Sequence, residues 1–192
     1  MSTPIRQLRG ELVYLRTLEP EDVELVHRWF ADARVAWWMG DLPESLARRR
    51  QRYEDRAEDQ FAFLICRLED DEPVGRTDLF FIDRTNGSAA FGITIGDPAH
   101  WGRGYGTDAV NALVDFAFGQ LRLEHVWLGT DARKVRAQAA YAKAGFREEG
   151  RLRHAYFQDG EYQDELRLAM LRAEWLELPR ARSWELAAEV GS

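Results

Sequence analysis

The stretch DPAHWGRGYGTDAVNALVDFAF, residues 97–118, constrains the fold more than any other part of the chain. Three glycines in five residues, Gly102, Gly104 and Gly106, lead directly into a helix-like run over about 105–121. Glycine allows positive φ and close approach of the backbone to a ligand, and the start of a helix presents unpaired N–H groups that attract anions. The stretch therefore predicts a loop that binds phosphate, with an ordinary tight strand-to-helix turn as the alternative.

Two nucleotide-binding motifs compete for these glycines. Gly104, Gly106 and Ala109 have the spacing of the dinucleotide fingerprint, and Asp131 follows the next strand, where a ribose-binding acid lies. That fingerprint begins at a strand end, but residues 97–101 separate these glycines from the strand FGITIG. Too little chain follows Asp131 for the rest of a doubly wound sheet, and no Gly-Lys-Ser/Thr completes a kinase-type P-loop. A nucleotide-dependent oxidoreductase is therefore the weaker alternative.

Hydrophobic periodicity predicts the element order β-α-α-β-β-β-α-β-α-β-β. A strand–helix–strand crossover lies at the centre, and a hairpin across Asp159-Gly160 closes the sheet. The aromatic segment 37–43 is predicted as a loop, and the tail 172–192 as helical. The pattern indicates one mixed α/β domain without an internal repeat.

Composition narrows the class of partner. The formal net charge of −7 argues against nucleic acid as a partner, because phosphate binding needs a basic surface. The N-terminus lacks an apolar signal region and no run is long enough to span a membrane, which predicts a cytoplasmic protein without a membrane partner.

Cys66 is the one cysteine, so a disulfide or a cysteine-based metal site is excluded. No metal is expected either from the histidines, which have no ligand spacing: His27, His100, His125 and His154.

The run PAHWGRGYGTDAV resembles the acetyl-CoA pyrophosphate loop of the GNAT N-acetyltransferase superfamily. The segment VWLGTDARKVRAQAAYAKAGFREEGRLRHAYFQDGEYQDELRLAML resembles the fifth strand, fourth helix and closing hairpin of that fold. The subgroup looks like the ribosomal-protein N-terminal acetyltransferases and the spermidine acetyltransferases. The resemblance covers roughly residues 8–172. It implies one GNAT domain over 1–178 with a helical tail over 179–192, and an α/β (α+β) fold. Its mixed, mostly antiparallel sheet has about seven strands, splays between strands four and five, and is flanked by helices.

The resemblance implies acetyl-CoA as the acyl-donor substrate and no metal. In this family the donor lies between the fourth strand, here FGITIG, and the fifth. Backbone groups of Ile93, Thr94 and Ile95 are expected to pair with the pantetheine arm, since a splayed strand pair leaves such groups unpaired. The pyrophosphate is expected at the following loop residues: Trp101, Gly102, Arg103, Gly104, Tyr105, Gly106 and Thr107.

Two lysines are further candidates for contact with the donor. Lys134 stands where the family usually has an asparagine that touches the pantetheine arm, and a lysine there can reach phosphate instead. Lys143 belongs to the run Tyr141-x-Lys143-x-Gly145-Phe146, which is typical of the family.

Acetyl transfer to an amine needs two proton movements. An amine with a pKa of about 10 is neutral in about one molecule in a thousand at pH 7, and the leaving CoA thiolate needs a proton. The resemblance assigns Tyr141 as general acid; the alternative is a packed helix tyrosine. Asp78 resembles an acid of the spermidine enzymes and is the candidate base; the alternatives are a solvent-facing charge or a water chain. Ala90 occupies the position where many relatives have an acid.

The acceptor is expected against the aromatic segment, where Trp37, Trp38 and Met39 form an apolar or cation–π wall. The same residues equally fit a cap on the core or a dimer contact. The predicted function is transfer of acetyl from acetyl-CoA to a primary amine by direct attack in a ternary complex. The acceptor is a protein N-terminus, a polyamine or another small amine, and the protein is expected to be a homodimer. A non-catalytic acyl-CoA-binding sensor on the same fold is the other alternative.

Overall fold

The computed structural model describes residues 8–39, 43–57 and 59–188. Within them the strands are β1 Leu8–Arg9, β2 Val13–Thr17, β3 Phe61–Arg67, β4 Pro73–Asp83, β5 Ser88–Ile95, β6 His125–Asp131, β7 Arg147–Gln158 and β8 Glu161–Leu171. The helices are α1 Val23–Ala31, α2 Ala33–Met39, α3 Leu46–Glu54, α4 Tyr105–Asp115, α5 Val135–Lys143, α6 Arg172–Leu176 and α7 Ser183–Ala188. Short 3-10 turns at Pro20–Asp22 and Pro98–His100 precede α1 and α4, and a π turn, Phe116–Gln120, extends α4.

All eight strands form one sheet in the order β1-β2-β3-β4-β5-β6-β8-β7. Only β5 and β6 are parallel, and α4 makes the crossover between them. The other neighbours pair antiparallel. The predicted mixed, mostly antiparallel sheet is confirmed, with eight strands rather than about seven. The additional strand β1 pairs through Leu8 and Arg9 alone, which is too short for alternation to reveal it in the sequence.

Helices cover both faces of the sheet. On one face α4 packs over β1, β2 and β5, and the core cluster on this face includes Leu113, Phe118 and Leu128. The helix α5 lies on this face too, since Tyr141 and Ala144 contact the same cluster. On the opposite face α1 packs Val26 and Trp29 against Tyr14, Ala62 and Leu64. The apolar spacing of α1 in the sequence is what directs these side chains inward.

Turn chemistry agrees with the sequence at the closing hairpin. Asp159 and Gly160 have φ of 55° and 83°, as a two-residue I′ turn requires. At the end of α5, Gly145 has φ of 101°, which supplies the left-handed cap that ends the helix.

The predicted loop over 37–43 is wrong in its first part, because α2 continues to Met39. Asp32 explains the helix: its carboxylate accepts the Arg34 N–H at 2.9 Å, and its carbonyl accepts the Ala36 N–H at 2.9 Å. Asp32 therefore caps a turn that α2 then extends. Positions 40–42 lie outside the described residues.

The C-terminal helix α7 is fixed by Asp115, which is 1% exposed at the end of α4. The Asp115 carboxylate accepts hydrogen bonds from Trp175 Nε1 at 2.8 Å, from Arg180 at 2.7 Å and from the Ser183 N–H at 2.7 Å. A buried charge of this kind is stable only when its oxygens are saturated with donors. The tail thus packs on the face of the sheet that carries α4. Among the described helices, none has the length and apolarity to cross a bilayer.

Candidate active site

The parallel strands β5 and β6 separate after three paired residues. Ser88, Ala89 and Ala90 pair with residues 125–127, and no further pair joins the two strands. Their divergence opens a cleft of about 540 Å³. It is lined from β5 and its following loop by residues 91–95, 100–102, 104–107 and 110, from β6 and α5 by 128–130, 133–137, 140 and 141, and from α2 by Val35. The split that the family resemblance implies between these strands is therefore present.

The glycine loop forms one end of the cleft. Gly102 and Gly104 have φ of 75° and 89°, a backbone region that residues other than glycine rarely adopt. Gly104 is the N-cap of α4, so the free N–H groups of the first helical turn face the same end. Trp101 fixes the loop by donating its Nε1–H to the Ile95 carbonyl at 2.9 Å. The loop has the geometry of an anion site at a helix N-terminus.

Asp108 supports this helix start from beneath, and no local sequence pattern singles it out. Its buried carboxylate accepts the backbone N–H groups of Glu11, Leu12 and Val13 at 3.0, 2.8 and 2.9 Å. The turn between β1 and β2 is thereby tied to the first turn of α4.

The α5 side of the cleft carries Tyr141 and Lys134. The Tyr141 ring packs edge-on against Phe91, with centroids 6.0 Å apart, and burial raises the pKa of Tyr141 to about 12. Its hydroxyl is consequently a neutral hydrogen-bond donor over the physiological range. Burial lowers the pKa of the Lys134 ammonium, the nearby Asp131 carboxylate opposes that change, and Arg133 adds to it.

Most residues predicted to contact the donor line the cleft: Ile93, Thr94, Ile95, Trp101, Gly102, Gly104, Tyr105, Gly106, Thr107 and Lys134. Tyr141 lines it as well. Arg103 and Lys143 do not; both are exposed. Lys143 follows Tyr141 by two positions, which on a helix directs it to a different side.

Asp78 lies outside the cleft lining, on the opposite face of the sheet from α4. It pairs across strands with Ala62 and Gly92, and Ala62 belongs to the core under α1. Asp78 is 9% exposed, and its carboxylate accepts a hydrogen bond from the Arg76 guanidinium. Asp78 is therefore a buried, paired acid one strand away from the cleft.

Trp37 lies at the outer rim rather than in the cleft lining. Its Nε1–H donates to Asp159 Oδ2 at 2.9 Å, and its carbonyl accepts from Gln158 Nε2 at 2.6 Å. Arg133 lies 5.7 Å above the Trp37 ring. These contacts connect α2 to the β7–β8 hairpin. The side chains of Trp38 and Met39 lie outside the described residues.

The face that carries Asp78 has two further carboxylates beside the cleft. Asp131 ends β6, and Glu165 lies opposite it on β8. Burial alone would raise the pKa of Asp131, but hydrogen bonds from Arg133 outweigh it and lower that pKa to about 2. Glu165 was missed by sequence reasoning, although Gly129, a glycine within the strand HVWLGT, indicates close approach of another group. Among the described residues, no group of His, Cys, Asp and Glu side chains could hold a metal ion.

Comparison with known proteins agrees with this geometry. The model of the acetyltransferase (GNAT) domain matches residues 13–147. A spermidine N(1)-acetyltransferase of Escherichia coli K12 is 30% identical over 165 residues, covering 85% of this chain and 88% of that protein. A putative ribosomal N-acetyltransferase of Bacillus subtilis is 27% identical over 174 residues, covering 86% and 94%. The crystal structure of a spermidine N-acetyltransferase from Vibrio cholerae, in complex with CoA and spermine, superimposes with a TM-score of 0.80. It has 27% identity and covers 86% of this chain and 98% of that one.

Proposed function

The chain belongs to the acetyltransferase (GNAT) family and is an acyl-CoA-dependent N-acetyltransferase, and from that premise we propose that its acceptor is a polyamine. Acetyl-CoA is the donor substrate. The amine attacks the thioester directly, with both substrates bound at once. The observation that carries the proposal is the β5–β6 split, which has the glycine loop and Tyr141 on one side and a carboxylate-bearing sheet face on the other.

The donor is bound mainly by backbone. The separated edges of β5 at 93–95 offer peptide groups to the amides of the pantetheine arm, and the start of α4 offers N–H groups to the pyrophosphate. Lys134 and Arg136, which also line the cleft, add positive charge for phosphate. In this proposal the thioester end of the arm lies towards Tyr141.

Transfer then follows the proton requirements of the two partners. The lone pair of the neutral amine attacks the acetyl carbonyl, the C–S bond breaks, and the thiolate takes the proton of the Tyr141 hydroxyl. The attacking nitrogen loses its extra proton to water, and the tyrosinate regains a proton from water. Because burial raises the pKa of Tyr141 to about 12, the hydroxyl holds its proton before attack and is available to the thiolate as it leaves. Asp78 lies outside the cleft lining, so we assign it as the base acting through water rather than by direct contact.

The acceptor class is supported by two arguments. Spermidine acetyltransferases from two organisms are similar along most of this chain. In addition, Asp78, Asp131 and Glu165 share the sheet face opposite the glycine loop. Glu165, whose guanidinium neighbour Arg167 lies 3.5 Å away, offers its carboxylate to an ammonium of an incoming polycation. A peptide N-terminus carries one ammonium and therefore makes fewer charge contacts with such a face.

An acceptor panel tests the proposal. Initial rates of CoA release are measured at saturating acetyl-CoA with spermidine, spermine, propylamine and a short peptide with a free N-terminus. We expect kcat/KM to be highest for the polyamines. A higher value for the peptide would assign the enzyme to protein N-termini. Acetyl-CoA binding without turnover of any amine would indicate the non-catalytic sensor, and stabilisation by NAD(H) alone would indicate the oxidoreductase.

The predicted homodimer is part of this proposal. It is supported by a dodecameric spermidine N-acetyltransferase structure from Vibrio cholerae with 27% identity and a TM-score of 0.75. Phe157 and Tyr162, each 62% exposed at the end of the β7–β8 hairpin, are apolar surface available for such a contact. Light scattering at micromolar concentration measures the mass; a monomer would contradict it.

A further inference from the structure

The carboxylate of Glu165 occupies the space where a side chain on residue 129 would lie. A Cβ on Gly129 would be 2.4 Å from Cδ of Glu165 and 2.6 Å from both carboxylate oxygens. Gly129 lines the cleft from β6. The absence of a side chain there lets the Glu165 carboxylate reach across β6 from the neighbouring strand. Glu165 is thus brought to the β6 edge of the cleft.

The strand register fixes which face of the sheet this carboxylate lies on. Glu165 pairs with Asp131, and Arg167 pairs with Gly129. Side chains alternate along a strand, and Leu128 packs into the core on the α4 side. Gly129, Asp131 and Glu165 therefore share the opposite face, away from the glycine loop. A second substrate that approaches an occupied cleft from this face meets Glu165.

Glu165 is the least tightly paired of Asp78, Asp131 and Glu165. Asp131 accepts the Arg133 N–H and an Arg133 guanidinium N–H, each at 2.7 Å, and Asp78 accepts from Arg76. The nearest guanidinium nitrogen to Glu165 is that of Arg167, at 3.5 Å, which is longer than a good hydrogen bond. The Arg167 guanidinium instead stacks on the Trp127 ring at 3.8 Å. Glu165, with 28% of its side chain exposed, keeps oxygens for an incoming donor.

We infer that Glu165 binds an ammonium of the acceptor that is not the one acetylated, and so selects acceptors with a second positive charge. This inference rests on the proposed function and adds the residue that determines specificity for the acceptor. A carboxylate stabilises the protonated form of a nearby amine, which suits a nitrogen that stays charged and hinders one that must lose its proton. Short methylene chains separate the nitrogens of a polyamine, so one can reach the cleft while the next lies at Glu165.

The test compares E165Q with the matched variant E161Q. Glu161 is exposed on the same strand, and its substitution makes the same change of charge about 13 Å along β8. Steady-state parameters are measured for spermidine and for propylamine, which lacks a second ammonium. We expect E165Q to raise KM for spermidine by about tenfold or more, as loss of a charge-assisted hydrogen bond implies. KM for acetyl-CoA and kcat/KM for propylamine are expected to stay near the wild-type values. E161Q is expected to keep the wild-type KM for spermidine.

Each other outcome overturns the inference. An equal loss of kcat/KM with both amines would place Glu165 at the reacting nitrogen, and an unchanged KM for spermidine would remove it from acceptor binding.

Two controls accompany the test. The thermal midpoint of each variant checks folding. E165D, which keeps the charge, should retain more spermidine affinity than E165Q in calorimetric titrations of the CoA-loaded enzyme. Wild-type turnover of spermidine is the reference. Its absence would remove the proposed function itself, whereas turnover with an unchanged KM in E165Q removes only the role of Glu165.

Discussion

The carboxylate of Asp108 lies directly on the backbone of Gly10, so that a Cβ at position 10 would be 2.2 Å from Asp108 Oδ2. This contact joins the first turn of α4 to the turn between β1 and β2. The same carboxylate accepts three backbone N–H groups from residues 11–13. The start of α4 and the loop before it are therefore positioned by hydrogen bonds to residues that are distant in the sequence.

Replacing Asp108 by Asn should destabilise the protein by about 2 kcal/mol, because an amide cannot accept from all three N–H groups and the charge near the helix N-terminus is lost. Gly10→Ala should cost a similar amount through the steric contact. Urea unfolding measures the free energy, with Asp59→Asn on the surface as the control for the charge change. A loss as small in D108N as in D59N would show that the anchor contributes little.

Removal of the charge of Asp115 should release the C-terminal tail. The carboxylate is 1% exposed, and Arg180, Trp175 and Ser183 all donate to it. Breaking such a buried pair costs about 3 kcal/mol or more, so D115N should unfold at a lower urea concentration. Hydrogen exchange should become faster over 179–188. Unchanged exchange in the tail would contradict this attachment.

Tyr141→Phe should lower kcat by about a hundredfold, the lower range for general acid catalysis, with little change in KM for acetyl-CoA. Because the pKa of Tyr141 is about 12, its hydroxyl stays protonated to well above pH 10. The rate should therefore rise with pH as the acceptor amine, with a pKa of about 10, loses its proton. Y141F should show the same profile at a lower level. Full activity in Y141F, or a fall in wild-type rate below pH 10 that Y141F lacks, would contradict the assignment.

Lys134→Met should weaken acetyl-CoA binding by about tenfold at low salt, and the difference should shrink as salt screens the charge. Because burial lowers the pKa of Lys134, wild-type affinity should fall with rising pH before the ordinary lysine range, and that fall should be absent in K134M. Titration calorimetry measures both. Lys143→Met, at the other end of α5, is the comparison, and its smaller loss is expected because Lys143 does not line the cleft. Equal losses in the two variants would argue for a general charge effect.

The elements that sequence reasoning predicted well are those with a local signal. Asp159-Gly160 predicts a hairpin turn, Gly145 predicts the end of α5, and the glycines after β5 predict a loop at a helix start. The helix α2 was missed because its cap, Asp32, lies in a segment dominated by aromatic residues. Asp108 and Glu165 could not be found, since each acts on backbone remote in sequence. Only Gly129 hinted at one of them.

The most direct test of the central claim is an initial-rate experiment in which acetyl-CoA and spermidine are both varied, with CoA and acetylspermidine quantified together. Direct transfer in a ternary complex predicts intersecting reciprocal plots and one acetylspermidine, identified by mass spectrometry, for each CoA released. Parallel plots would instead indicate an acetyl-enzyme intermediate. CoA release without acetylspermidine would contradict the polyamine acetyltransferase that the cleft and its carboxylates support.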